Sequence, residues 1–261
     1  MCGLFGAEWR EKNPNATERS RRAVALTVLA AEMDSRGNQS WGVWTPHGIN
    51  KAVGSVTGVS MVGYANARRI IGHTRFATQG SVTQANAHPF RIGGITGAHN
   101  GVIYNASTLD RQYRRRFPVD SQHLVAHVAE GRDLADLDGY GAFVWHDADD
   151  NTTNVGTFNG GAFAWARTDA GLVWASTVAA VASACLAAGL PIIGQIGALT
   201  EGARYELRPE GPYLADPAFF AGICRTSNRS WRGGMAATPA PVRRSRDVWD
   251  DEDEMLYAWR K

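Results

Sequence analysis

The sequence predicts a layered α+β domain, on three observations. Strand-like segments come in blocks with helices between them, rather than in strict strand–helix alternation. The 261 residues are enough to bury a sizeable core. Hydrophobic residues make up 44% and charged residues 20%, the latter below the roughly 25% of an average globular domain. That mix excludes a largely disordered chain, a collagen-like repeat and a highly charged tail protein.

The elements follow in order. Cys2 to Ala7 is a short apolar run that reads as a buried strand. Asn15 with Glu18 three residues on suits a capping box, and Val24, Leu26, Leu29, Ala30 and Met33 supply the stripe of a helix that Gly37 closes. Short strands are predicted at residues 41–45, 61–62, 70–73 and 94–99, each flanked by Gly or Asn. A second helix runs from Ser121 to about Glu130, with Leu124, Val125 and Val128 inward. Strands recur at residues 141–146, 154–158, 162–167 and 171–175. An Ala-rich helix over 178–188, ended by Gly189, precedes a strand at 204–207. There is no internal repeat.

The charge balance, 27 Lys+Arg against 25 Asp+Glu, gives +2 and does not force a polyanion-binding surface. Arg111, Arg114, Arg115 and Arg116 beside Tyr113 read as a solvated face, so no nucleic acid is expected. No apolar run reaches the roughly 18 residues of a membrane span; the longest, residues 178–193, is broken by Gly189 and Pro191. Glu8, Arg10, Glu11 and Lys12 interrupt any signal-peptide core. Cysteines at 2, 185 and 224 form no CxxC pair and no disulfide framework. A cytoplasmic setting follows as the expectation, and the Asn-x-Ser/Thr triplets are chance matches. No Walker A loop, GxGxxG or metal-ligand spacing is present, so no cofactor and no metal are expected.

Cys2 carries the chemistry to weigh. Removal of Met1 would leave a thiol nucleophile and a free α-amine on one residue, and an amine of pKa near 8 can serve as the general base. Its company is specific. Arg36-Gly37-x-x-Ser40-x-Gly42 follows the first helix. Then come Gly72-His73-Thr74-Arg75-Phe76-Ala77-Thr78-Gln79-Gly80 and Asn86-Ala87-His88-Pro89. Gly97-Ala98-His99-Asn100-Gly101 and Asp120-Ser121-Gln122 complete the set. Taken singly, Arg75 reads better as a surface arginine and Asp120 as the N-cap of the following helix. Likewise Asn100-Gly101 reads as a plain hairpin turn and His88 as a core histidine.

Together, over about residues 2–210, these motifs resemble the class II glutamine amidotransferases, the N-terminal-nucleophile glutaminases. The resemblance implies a four-layer αββα sandwich of the N-terminal-nucleophile hydrolase type. It implies Cys2 as nucleophile, with Asn100 and Gly101 as the oxyanion hole. Arg75 would clamp the α-carboxylate of L-glutamine and Asp120 would pair with its α-ammonium. Phe76, Thr78 and His88 would line the pocket, Arg36 would hold the N-terminal region, and His99 would be structural. Three positions depart from the pattern: Phe76 where Trp is usual, Gln79 where His is usual, and Gln122 where Glu is usual.

Composition shifts after about Phe220. The expected layout is a glutaminase domain over 1–215, a linker over 216–246 and an acidic/aromatic tail over 247–261. Relatives usually continue into a synthase domain, so a separate synthase subunit is the expected acceptor of the ammonia. A free-standing amidohydrolase on another γ-glutamyl substrate is the alternative, and a non-catalytic binding module the third reading.

Overall fold

The computed structural model describes residues 1–224. In chain order the elements are β1 (Gly3–Trp9), α1 (Ala16–Asp34), β2 (Ser40–Thr45), β3 (Gly48–Val53), β4 (Arg69–Arg75), β5 (Phe90–Ile92) and β6 (Ile95–Ile103). There follow α2 (Ala106–Gln112), α3 (Ser121–Glu130), β7 (Gly139–Asp147), β8 (Thr152–Phe158), β9 (Ala164–Arg167), β10 (Gly171–Ala175), α4 (Val178–Ala187), β11 (Arg204–Arg208) and β12 (Gly211–Asp216). They form two six-stranded sheets, ordered β3-β2-β4-β1-β10-β9 and β12-β11-β8-β7-β6-β5. Every pairing in both is antiparallel.

Three buried clusters define four layers. Phe5, Ala7 and Trp9 of β1 pack with Leu26, Leu29 and Met33 of α1 and Val181 of α4. Leu4, Ile71, Leu172 and Trp174 of the first sheet meet Ala98, Ala142, Val144 and Val155 of the second. Phe143 and Trp145 of β7 pack with Leu124 and Val125 of α3. Successive residues of one strand thus enter different clusters, as the two-residue period of a strand requires. Because both faces of the central strands are covered, β1 is buried along its whole length and carries no apolar/polar alternation. The fold is the four-layer αββα sandwich.

The Asn15 carboxamide accepts the Glu18 N–H at 2.9 Å, which starts α1 as the capping pattern predicts. Glu18 does not reciprocate: its carboxylate pairs with Arg22. Val24, placed in the apolar stripe, is instead 38% exposed. The strand expected at 61–62 is a single 3-10 turn over Val62–Tyr64, because the amides of Tyr64 and Ala65 close on the carbonyls of Met61 and Val62. The packed unit also runs beyond the expected boundary at 215. Phe220 is fully buried, stacks on Phe158 with ring centroids 5.3 Å apart, and donates its N–H to the Gly202 carbonyl. The remainder of the expected linker and the tail at 247–261 lie outside the described residues.

Candidate active site

β1 brings its N-terminal end beside the C-terminal end of β4, with Gly3 opposite Thr74. Cys2 and the Arg75–Phe76 pair therefore emerge from the sheet together. The Phe76 N–H approaches the Cys2 Sγ at 3.4 Å, and the thiol lies 3.5 Å from the Phe76 carbonyl, so the backbone of one residue can serve the thiolate as donor and the thiol as acceptor. Burial pushes the Cys2 thiol up, opposed by the Phe76 N–H and by the nearby Arg75 charge. The Arg36 Nε donates to the Cys2 carbonyl at 3.0 Å. Met1 remains in front, 73% exposed.

The segment after β4 is pinned over this point. Arg75 donates to the carbonyls of Gln79 and Ser81, the latter at 3.1 Å. The Asn86 Nδ2 donates to the same Ser81 carbonyl at 3.0 Å. The Ala77 N–H is taken by the Gln39 side chain at 2.7 Å. Gly37 is required beneath: a Cβ there would stand 2.5 Å from the Phe76 nitrogen. Sequence reasoning missed Gln39 and quoted Asn86 in a motif without giving it a role; they act through contacts 38 and 5 residues away.

Asp120 immediately precedes α3, yet its side chain makes no cap bond to the helix. It turns instead to the end of β6 and accepts the Ile103 N–H at 2.7 Å. The N-cap alternative is therefore excluded by geometry. Asn100 and Gly101 are not a hairpin turn either: both lie within β6, opposite Ala142 and Gly141. The Asn100 Nδ2 donates to Ser176 Oγ at 3.0 Å, and the same oxygen accepts the Leu4 N–H at 2.9 Å. Gly101 has no room for a side chain, since a Cβ would fall 1.9 Å from the Tyr140 carbonyl oxygen.

Cys2, Arg75, Phe76, Thr78, His88, Gly101 and Asp120 line one cleft, joined by Gln79, His99, Val119 and Ser121. Arg36 and Asn100 are not on its wall; each touches the chain that carries Cys2, Arg36 directly and Asn100 through Ser176. Arg75 and Asp120 face the same cleft without bonding each other. Two opposite charges so placed match the zwitterionic end of a free amino acid.

Behind the cleft stands a row of buried imidazoles. The His88 Nδ1 lies 2.9 Å from the His73 Nε2, which lies 3.2 Å from the His99 carbonyl. The His99 Nδ1 is 3.0 Å from Ser121 Oγ. Burial holds all three well below the ordinary histidine range, to about 3 for His73 and about 4 for His99. All three are neutral at pH 7, so the positive charge in the cleft is that of Arg75.

No protein-family model matches the chain. By sequence it is similar to the glutamine–fructose-6-phosphate aminotransferase (isomerizing) of Aeropyrum pernix, 34% identical over 147 residues, which is 50% of this chain and 22% of the relative. The enzyme of the same description from Streptococcus pneumoniae serotype 4 is 30% identical over 154 residues, covering 54% and 24%. The chain thus spans about a quarter of the length of these relatives. By structure it is similar to the glutamine phosphoribosylpyrophosphate amidotransferase of B. subtilis, with TM-score 0.58, 22% identity, and 83% of this chain and 49% of that one covered. A second structure, the allosteric regulatory enzyme of purine biosynthesis, aligns with TM-score 0.59 and 23% identity, covering 83% and 49%. These two likenesses establish the shared fold. The sequence matches and the motif set on one cleft point the same way, toward the class II glutamine amidotransferases, to which the chain is similar.

Proposed function

We propose that this chain hydrolyses L-glutamine to glutamate and ammonia at Cys2. The observation that carries the reading is the cleft itself, where a thiol shares the lining with the buried Arg75 cation and the buried Asp120 carboxylate, each anchored to backbone groups. Arg75 takes the α-carboxylate and Asp120 the α-ammonium, leaving the side-chain amide to reach Cys2. Thr78, Phe76 and His88 shape the walls, and Arg36 holds the backbone of the nucleophile.

Removal of Met1 frees the Cys2 amine. That amine takes the thiol proton as sulfur attacks the amide carbon, and the oxyanion is met by the Gly101 N–H and the Asn100 carboxamide. The same proton passes to the departing nitrogen as the C–N bond breaks, releasing ammonia and leaving a γ-glutamyl thioester. Water, deprotonated by the amine, then attacks the thioester and releases glutamate. The ammonia goes to an acceptor site outside residues 1–224, on a separate synthase subunit. The cleft's two charges suit other γ-glutamyl amides as well, so the alternative of a free-standing amidohydrolase on another γ-glutamyl substrate is separated by comparing turnover of glutamine with that of such amides.

Intact-mass analysis after treatment with diazo-oxo-norleucine tests the site. The expected result is loss of Met1 and a single adduct on Cys2 that excess glutamine blocks. A chain that retains Met1 and takes no adduct lacks the general base, and would overturn the reading in favour of a binding module.

A further inference from the structure

At the far end of the same two strands lies a second cavity of about 590 Å³. It opens where β1 ends and β4 begins, roughly 20 Å from the cleft at about 3.3 Å per strand residue. Lys12, Arg19, Arg68 and Arg69 line it together with the amides of Asn13 and Asn151, and no acidic side chain does. Two of its cations are held in place. The Arg68 Nε donates to the Trp9 carbonyl at 3.1 Å. The Arg69 Nε contacts the buried Glu8 carboxyl at 3.3 Å, and its Nη1 bonds Asn151. Anchoring a guanidinium through Nε fixes the direction of its terminal nitrogens before any ligand arrives.

The positive charge there is poorly offset. Among the described residues, Lys12, Arg19 and Arg68 have no carboxylate partner. Glu8, which Arg69 contacts, is pushed up to about 7 by burial and so is partly protonated at neutral pH. Four cations converging on one concavity repel each other and favour an anion that spans them. A single phosphate is too small to bridge a cavity of this size, and its charge of about −1.5 to −2 leaves half of the cations unmatched.

We infer that this groove binds a small polyphosphate-bearing molecule, the class that includes nucleoside di- and triphosphates. The oriented Arg68 and Arg69 forks and Lys12 take the phosphate oxygens, while Asn13 and Asn151 offer donors and acceptors to the remainder. This site is independent of the glutaminase reading, because it shares no lining residue with the cleft.

Isothermal titration of the full-length protein tests it, with sodium tripolyphosphate and with ATP as separate probes. Saturable one-to-one binding that weakens steeply with salt is expected, with Lys12→Gln and Arg68→Gln each lowering affinity about tenfold. Equal affinity for the two probes would limit recognition to phosphates, and tighter ATP binding would add the nucleoside; both support the site. Unchanged thermal midpoints in the variants show that the fold is kept. Absence of binding, or binding indifferent to both substitutions, would overturn the inference. So would binding that appears only after Asp250, Asp251, Glu252, Asp253 and Glu254 are changed to their amides, since the groove would then belong to the chain's own acidic segment.

Discussion

Ser176 is a residue whose value lies in what it points. Its Oγ takes one hydrogen of the Asn100 carboxamide at 3.0 Å and the Leu4 N–H at 2.9 Å. An NH2 group has two hydrogens in a fixed plane, so engaging one sets the direction of the other. The hydroxyl therefore ties Asn100, the proposed oxyanion donor, to the strand that carries Cys2. Ser176→Ala is expected to lower kcat about ten- to hundredfold with little change in KM, because oxyanion donation acts chiefly in the transition state. Steady-state kinetics at saturating glutamine check this. A KM effect alone would place Ser176 in ground-state binding instead. Nothing local in the sequence singles out Ser176, since its partners lie 76 and 172 residues away.

At the scale of elements, what could be read in advance follows burial. The central strands β1, β7 and β10 announce themselves as apolar runs, β4 and β8 as shorter strand-like segments, α1 by its cap and periodicity and α3 by periodicity. The three strands that escaped prediction, β3, β5 and β12, are each the last strand at a sheet edge. An edge strand is partly solvated and needs no apolar pattern: β12 exposes Tyr213 and Leu214, and β3 alternates exposed and half-buried positions. The motif residues were legible one by one, but Asn100-Gly101 looked like a turn. Asn-Gly carries that meaning only between strands, and here it sits inside β6. The pairing of Gly101 with Gly141 brings the two backbones together there, and Gly141 takes φ +148°. Gly101→Ala must push Tyr140 or β6 aside. We expect a loss of about 1–3 kcal/mol, read from the denaturant midpoint, and a larger fractional loss of kcat/KM, since the displaced strand carries the oxyanion donors.

For the molecule as a whole, the row of buried imidazoles is where solution pH should tell. His73, His88 and His99 are buried and neutral, with folded pKa values below the unfolded value near 6.5. Below pH 6.5 the unfolded chain binds protons that the folded chain refuses, so stability falls as pH drops. At pH 5 each such histidine costs about 2 kcal/mol, and three together rival the roughly 5–15 kcal/mol of a typical domain. The urea midpoint is expected to fall steeply between pH 6.5 and 5, and His73→Gln to flatten that slope. A midpoint level across this range would show that the imidazoles reach solvent.

The place of β1 in its sheet has a temporal consequence. It is made well before either of its neighbours, β4 and β10, and Gly171–Ala175 of β10 close its second edge. Ser176, which steadies Asn100, comes one residue later still. Cys2 is thus translated long before the strand that seats it. A nascent or truncated chain lacking residues 171–176 holds the thiol on a half-paired strand with its oxyanion donor untethered. On the proposed function, amide cleavage would begin only once the domain has closed around Cys2, so unfinished chains would leave glutamine untouched.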